Sequence, residues 1–251
     1  MNMKAVITDL DRTLLHTDKS ISAYTADVFR KCRERGIRVM TASARPLRDI
    51  RDFQKQIGFD AVTTTNGAVV ELPDGLREYG IPRGSGEKII AELLRFPDVF
   101  LSVETSGGLY SNRDIPVWEP VIYDGFPKLP DGVVLYKILA SSSRRELYDG
   151  VGQILTDDVY CTISNRDLVQ IMSREATKWN GIRQMLACFG ISPDDAVYFG
   201  DDNDDIEPIR NCGTGVAVAN AIPAVLDAAD RIVDSNDEDG VARFIETYIF
   251  G

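Results

Sequence analysis

Apolar and polar positions fall into blocks along this chain, and the first blocks alternate between strand and helix. "KAVITD" is a short β-branched run that predicts a buried strand. In "SAYTADVFRKCRERG", Tyr24, Val28, Phe29 and Cys32 recur near one helical face, and Gly36 ends the segment. "IRVMTA" predicts a second strand. "ARPLRDIRDFQKQIG" predicts a second helix, with Pro46 in a first turn that tolerates proline and Gly58 at the end. "DAVTTTNGAVVEL" reads as a strand, an Asn66-Gly67 turn and a second strand, since Asn-Gly is a strong hairpin signal.

The last third resumes this rhythm. "TKWNGIRQMLACFG" predicts a helix ending at Gly190, "DAVYFG" a buried strand, and a helix follows from about Asn203. "GVAVA" and "RIVD" are short strands around the helix "IPAVLDAAD", and "DGVARFIETYIF" closes the chain as a helix. Strand–helix alternation at both ends implies a parallel sheet covered on both faces. The middle departs from it. "GEKIIAELLRF" and a stretch at about 143–155 are helical. "DVFLSVET", "GLYSNRD", "GVVLYKILA", "DVYCTISN" and "DLVQIMS" read as strands, with a hairpin around Gly107-Gly108. The proline-rich stretch "DIPVWEPVIYDGFPKLPDG" is expected to be an irregular loop. The expected architecture is therefore an α/β core, residues 1–80 and 173–251, interrupted by an α+β domain at 81–172.

Charge and cysteine content narrow the partners. The chain has 251 residues and a formal net charge of −11. That argues against nucleic acid and anionic membrane surfaces as partners. An acidic chain still binds a phosphorylated small molecule where a metal ion supplies positive charge. Cys32, Cys161, Cys188 and Cys212 lie far apart without metal-ligand spacing, so reduced, mostly buried thiols are expected. No apolar run approaches the ~20 residues of a membrane span, and the N-terminus lacks a signal-peptide pattern. Cytoplasmic location is the resulting expectation. The sequence leaves the oligomeric state open.

Ligands of open parallel sheets sit beyond the carboxyl ends of the strands. The first strand delivers Asp9, Asp11 and Thr13 there, the second Ser43 and Arg45, the third Thr65 and Asn66. "DAVYFG" delivers Asp201 and its neighbours Asp202, Asn203, Asp204 and Asp205, and Lys178 opens the helix before it. Two unit charges ~4 Å apart repel by about 4 kcal/mol at an effective dielectric near 20. A hard divalent cation such as Mg²⁺ relieves that repulsion through oxygen ligands. A metal beside a carboxylate nucleophile, with a lysine and a hydroxyl on the phosphate oxygens, suits phosphoryl transfer through an aspartyl-phosphate. Taken singly, these residues have plainer uses. Asp9 or Asp11 would serve as a cap or turn residue, Ser43 as a cap, Asn66 as a hairpin turn, and Asp204 and Asp205 as helix-start acids. It is their gathering at one sheet edge that points to a site.

"DLDRT", "TASAR", "TNGA", "EATKWNG" and "GDDNDD", in this order, resemble the motifs of the haloacid dehalogenase superfamily. Within it, they resemble the Cof-type, sugar-phosphatase-like branch with a large α+β cap. The resemblance covers the core; the middle domain matches in position and size. It implies a Rossmann-like parallel-sheet core with an inserted α+β cap, and a Mg²⁺-dependent phosphatase acting on small phosphorylated metabolites such as sugar or polyol phosphates. By the same resemblance, Asp9 is the nucleophile and Asp11 the general acid and base. Ser43 and Lys178 hold the phosphate, and Asn66 contacts it. Asp201 binds the metal with Asp9 and the Asp11 backbone carbonyl, and Asp205 supports them from behind.

Three positions depart from the family pattern. Arg12 stands where glycine is usual, Ser43-Ala44-Arg45 replaces Thr-Gly-Arg, and Asp204 replaces asparagine, with Asn203 a candidate to take over part of that role. Asp202 and Asp204 read as loop and helix-start residues. Two other functions stay open: a phosphomutase or dedicated sugar-phosphate phosphatase of the same superfamily, and a non-enzymatic phosphoacceptor module.

Overall fold

A computed structural model describes residues 3–115, 118–164 and 167–251. The chain divides into two compact units, one comprising residues up to Arg77 together with Thr177–Gly251, the other Glu78–Ala176. The sequence reading placed these borders at 80/81 and 172/173.

The first unit opens with β1 (Ala5–Thr8), α1 (Ala23–Glu34), β2 (Arg38–Ala42), α2 (Arg51–Ile57), β3 (Ala61–Thr64), β4 (Val69–Leu72) and β5 (Gly75–Glu78). The second unit contains α3 (Arg83–Leu93), β6 (Phe100–Thr105), β7 (Gly108–Ser111), β8 (Val121–Ile122), β9 (Leu135–Ser141), α4 (Arg145–Gly150), β10 (Val159–Ser164) and β11 (Leu168–Ser173). The first then resumes with α5 (Lys178–Cys188), β12 (Ala196–Gly200), α6 (Ile206–Asn211), β13 (Thr214–Val218), α7 (Pro223–Ala228), β14 (Arg231–Val233) and α8 (Gly240–Phe244).

The first unit's sheet runs β14-β13-β12-β1-β2-β3-β4-β5, parallel from β14 through β3, with β4 antiparallel to β3. Helices α1, α2 and α8 form one packed row and α5, α6 and α7 another. Every residue of β1, β12 and β13 is buried, as expected of parallel strands covered on both faces. Phe29, Phe199, Ile7 and Met40 are among its largest fully buried side chains, each stabilising the fold by roughly 1.5–3 kcal/mol. Order 12-1-2 reverses direction across β1, so the ends of β1 and β12 stand side by side, with Thr8 in register with Phe199.

The second unit's sheet runs β10-β11-β9-β6-β7-β8, antiparallel except between β7 and β8. Alternate residues Leu101 and Val103, Ile138 and Ala140, and Val169 and Ile171 share one core with Ile89, Ile90 and Leu93 of α3 and Leu147 of α4. That period of two is what one helix-covered sheet face requires.

The structure corrects several boundaries. Pro46 lies before the second helical segment, which starts as a 3-10 turn, Leu47–Ile50. The stretch at 143–155 contains α4 and a 3-10 turn, Val151–Gln153. The last helix passes from α8 into a π-helix, Ile245–Phe250. The proline-rich stretch contains β8, paired with β7; its Pro116 and Val117 lie outside the described residues, as does Asn165 of "DVYCTISN". All four cysteines are free, but only Cys32 and Cys212 are buried. No helix among the described residues is long and apolar enough to cross a membrane.

Candidate active site

Asp9 follows the last residue of β1 and is buried; its N–H donates to the Phe199 carbonyl at 2.9 Å, which ties it to β12. Leu10, fully buried, anchors the next turn, and the N–H groups of Thr13, Leu14 and Leu15 all donate to its carbonyl. Such a turn needs a left-handed residue, and Arg12 supplies it at φ 62°. For a residue with a side chain this costs about 1–2 kcal/mol. Two contacts offset the strain: Arg12 Nη2 donates to the Asn220 carbonyl at 3.1 Å, and Asn220 Nδ2 donates to the Arg12 carbonyl at 2.8 Å. The turn thus survives without glycine, and it directs Thr13 Oγ1 onto Asp201 Oδ1 at 2.8 Å.

Ser43 is buried just past β2, its Oγ accepting from the Arg45 N–H at 3.2 Å. The Arg45 fork grips Asp11, Nε donating to Oδ2 at 2.5 Å and Nη2 to Oδ1 at 2.7 Å, while Lys19 Nζ donates to Oδ1 at 2.7 Å. Arg45 also lies over the Phe53 ring. After β3 the chain makes a left-handed turn through Thr65, Asn66 and Gly67, at φ 52°, 57° and 104°. A Cβ on Gly67 would sit 2.1 Å from the Thr177 carbonyl oxygen, so only glycine lets this turn lie against the start of α5. Asn66 Nδ2 donates to Asp204 Oδ2 at 2.8 Å, and its N–H to the Ser43 carbonyl at 3.1 Å.

Lys178 is the first residue of α5, capped by Thr177, and is buried. Its Nζ lies 2.6 Å from Asp205 Oδ1, 3.0 Å from Asp9 Oδ1 and 3.2 Å from Asp204 Oδ1. Asp205 has its acceptors filled: Lys178 and the Tyr198 hydroxyl (2.5 Å) donate to Oδ1, and the N–H groups of Asp201 and Asp202 to Oδ2 at 2.9 and 3.0 Å. Gly200 makes room for it, since a Cβ there would lie 2.4 Å from the Asp205 Cβ. Asp202 caps the 3-10 turn Asn203–Asp205 and forms a capping box with Asp205.

Burial, reinforced by Asp205, Asp201 and Asp204 and opposed by Lys178, holds the Asp9 carboxyl well above the usual carboxylate range. Burial and then the Asp205 charge push Asp201 up to about 6. Burial also acts to lower Lys178, but the charges of Asp204, Asp205 and Asp9 outweigh it and hold the ammonium well above its ordinary value. Asp11 goes the other way: burial raises it, but hydrogen bonds from Arg45 and Lys19 outweigh burial and lower it.

One oxygen from each of Asp9, Asp201 and Asp205 lies within 4.8 Å of the others. An all-oxygen, crowded carboxylate set fits a hard divalent cation. Asp205, with four donors already on it, is less suited to ligate than Asp9 and Asp201, and suits support from behind.

Of the residues singled out from sequence, Asp9, Asp201, Asp204, Asp205 and Lys178 come together, and Asn66 joins them through Asp204. Ser43 is linked to Asn66 through its backbone carbonyl, and Asp11 turns toward Arg45 and Lys19. Asn203 does not join: it is exposed, and its Nδ2 donates to Asp202. Asp204 is more than a helix-start residue, since it pairs with Lys178. Tyr198 and Lys19 were missed. Tyr198 sits inside an apolar strand and reads as core; Lys19 follows a turn whose direction the sequence does not reveal.

Residues 6–245 match the haloacid dehalogenase-like hydrolase family. Among similar proteins, the 5-amino-6-(5-phospho-D-ribitylamino)uracil phosphatase YitU of Bacillus subtilis is 26% identical over 96% of this chain and 95% of its own. The structure of a haloacid dehalogenase-like hydrolase from B. subtilis superposes with TM-score 0.85 at 22% identity, covering 98% of this chain and 100% of that one. The sugar phosphatase BT4131 superposes with TM-score 0.81 at 20% identity, covering 99% and 100%. The chain belongs to the haloacid dehalogenase-like hydrolases.

Proposed function

We propose that this hydrolase is a Mg²⁺-dependent phosphatase of small phosphorylated metabolites, working through an aspartyl-phosphate at Asp9. The observation that carries the proposal is the buried Asp9 carboxylate, 3.0 Å from Lys178 and within one oxygen cluster with Asp201. The named activities of YitU and BT4131, on a ribityl phosphate and on sugar phosphates, support a polyol or sugar phosphate as the substrate class. A net charge of −11 favours a small substrate over nucleic acid.

Asp9, Asp201 and the Asp11 backbone carbonyl would hold Mg²⁺, which supplies charge neutralisation for the phosphoryl oxygens. Lys178 and the Ser43 hydroxyl orient those oxygens. Asp9 attacks phosphorus, the P–O ester bond breaks, and Asp11 gives its proton to the leaving oxygen. Asp11 then takes a proton from the water that attacks phosphorus; the bond to Asp9 breaks and inorganic phosphate leaves. Acid work at Asp11 requires the Arg45 and Lys19 contacts to loosen, because both favour its ionised form.

A panel of phosphate esters assayed with Mg²⁺ and with EDTA tests this. The expected result is free inorganic phosphate from polyol or sugar phosphates, lost with EDTA. An isomerised sugar phosphate, or no turnover of any ester, would overturn it.

A further inference from the structure

An ammonium group has three N–H donors. In Lys178 all three face carboxylates: Asp9, Asp204 and Asp205. A phosphate oxygen therefore gains a hydrogen bond from Lys178 only by displacing one of them. Asp205 is fully buried and fixed by three further donors, from Tyr198, Asp201 and Asp202. Asp9 is buried and, on the function proposed above, must stay beside the phosphorus it attacks. Asp204 differs on each count. Its Lys178 contact is the longest of the three at 3.2 Å, its side chain is 32% exposed, and its other oxygen accepts from the Asn66 amide at the turn after β3.

We propose that Asp204 is the exchangeable partner of Lys178: it occupies the position a phosphate oxygen takes, and gives it up when phosphate binds. The inference rests on Lys178 being the phosphate-holding cation. Asp204 then sets how strongly the site takes a dianion. It places a competing negative charge against Lys178. The site so built weakens product phosphate as well as substrate.

Inorganic phosphate is the direct probe, titrated calorimetrically into the full chain with Mg²⁺ present. Asp204→Asn keeps an acceptor of the same shape for Lys178 but removes the charge. It should bind phosphate roughly tenfold tighter, in line with losing a charge-assisted competitor. KM for the best ester should fall by a similar factor, with the change in KM rather than kcat. Asp204→Ser, a smaller neutral side chain, should move the same way, and Asp204→Glu, which keeps the charge, should not tighten phosphate. A purely structural Asp204 predicts instead that Asn and Ser lower the melting temperature without tightening phosphate. Phosphate affinity unchanged or weaker in folded Asp204→Asn and Asp204→Ser overturns the inference. Failure of the phosphatase reading looks different: wild type then hydrolyses no ester, whatever its phosphate affinity.

Discussion

Asp9 and Asp11 stand two residues apart at the end of β1, yet their surroundings push them in opposite directions. Asp9 is buried among carboxylates with one lysine and is held high. Asp11 lies half-exposed between Arg45 and Lys19 and is held low. Paired titratable groups driven apart are a mark of acid–base sites. Here the directions are the reverse of what the proposed roles need, since a nucleophile should be ionised and a general acid protonated. Each half therefore needs a partner from outside the chain. A divalent cation would bring Asp9 to its ionised form, and substrate would have to draw Arg45 away before Asp11 holds a proton. The rigid half, clamped by Lys178, Tyr198 and backbone N–H groups, is preorganised; the half held by long side chains is the part able to rearrange.

Breaking the rigid half should cost most. Asp9→Asn should lower phosphate release by at least about 10³-fold with the fold intact by circular dichroism, because a neutral amide cannot replace the carboxylate nucleophile. The other half should respond in its pH dependence. Arg45→Met removes the strongest contact holding Asp11 ionised, so Asp11 should keep its proton to higher pH. The alkaline limb of kcat/KM should then move upward; a limb that stays put would separate Arg45 from Asp11 chemistry.

Cation binding should sharpen the contrast further. Asp201 keeps its proton to about pH 6 when folded, against 3.8 ordinarily. Between those values the folded chain binds more protons than the unfolded one, so this group's contribution to stability falls as pH rises through that window. Mg²⁺ competes with those protons, and it should raise the melting temperature more at pH 7.5 than at pH 5. The smallest effect belongs to Tyr198→Phe, which removes one donor from buried Asp205. About 1.5–3 kcal/mol is expected, seen as a melting temperature lower by roughly 5 °C.

The same contrast governs how much was legible in the sequence. Strand-end acids stand out as polar residues closing apolar runs, so Asp9, Asp201 and Lys178 were visible, as was the alternation that builds the parallel core. Side-chain direction was not. Nothing in "GDDNDD" separates Asp204, aimed at Lys178, from Asn203, aimed at solvent; that depends on the 3-10 turn, whose geometry the capping box of Asp202 and Asp205 sets. Arg12 hides a left-handed angle behind an ordinary residue, held by Asn220 far along the chain. Two-residue β8 carries too few positions for a period of two to show.

The most direct test is to trap the phosphoryl group. Asp11→Asn should slow hydrolysis of the intermediate more than its formation. Acid quenching during turnover, followed by borohydride reduction, converts an aspartyl-phosphate to homoserine, which peptide mass spectrometry locates. Homoserine at position 9, absent without substrate, is the predicted result. A turning-over enzyme with Asp9 unmodified, or with the modification on another residue, would contradict it.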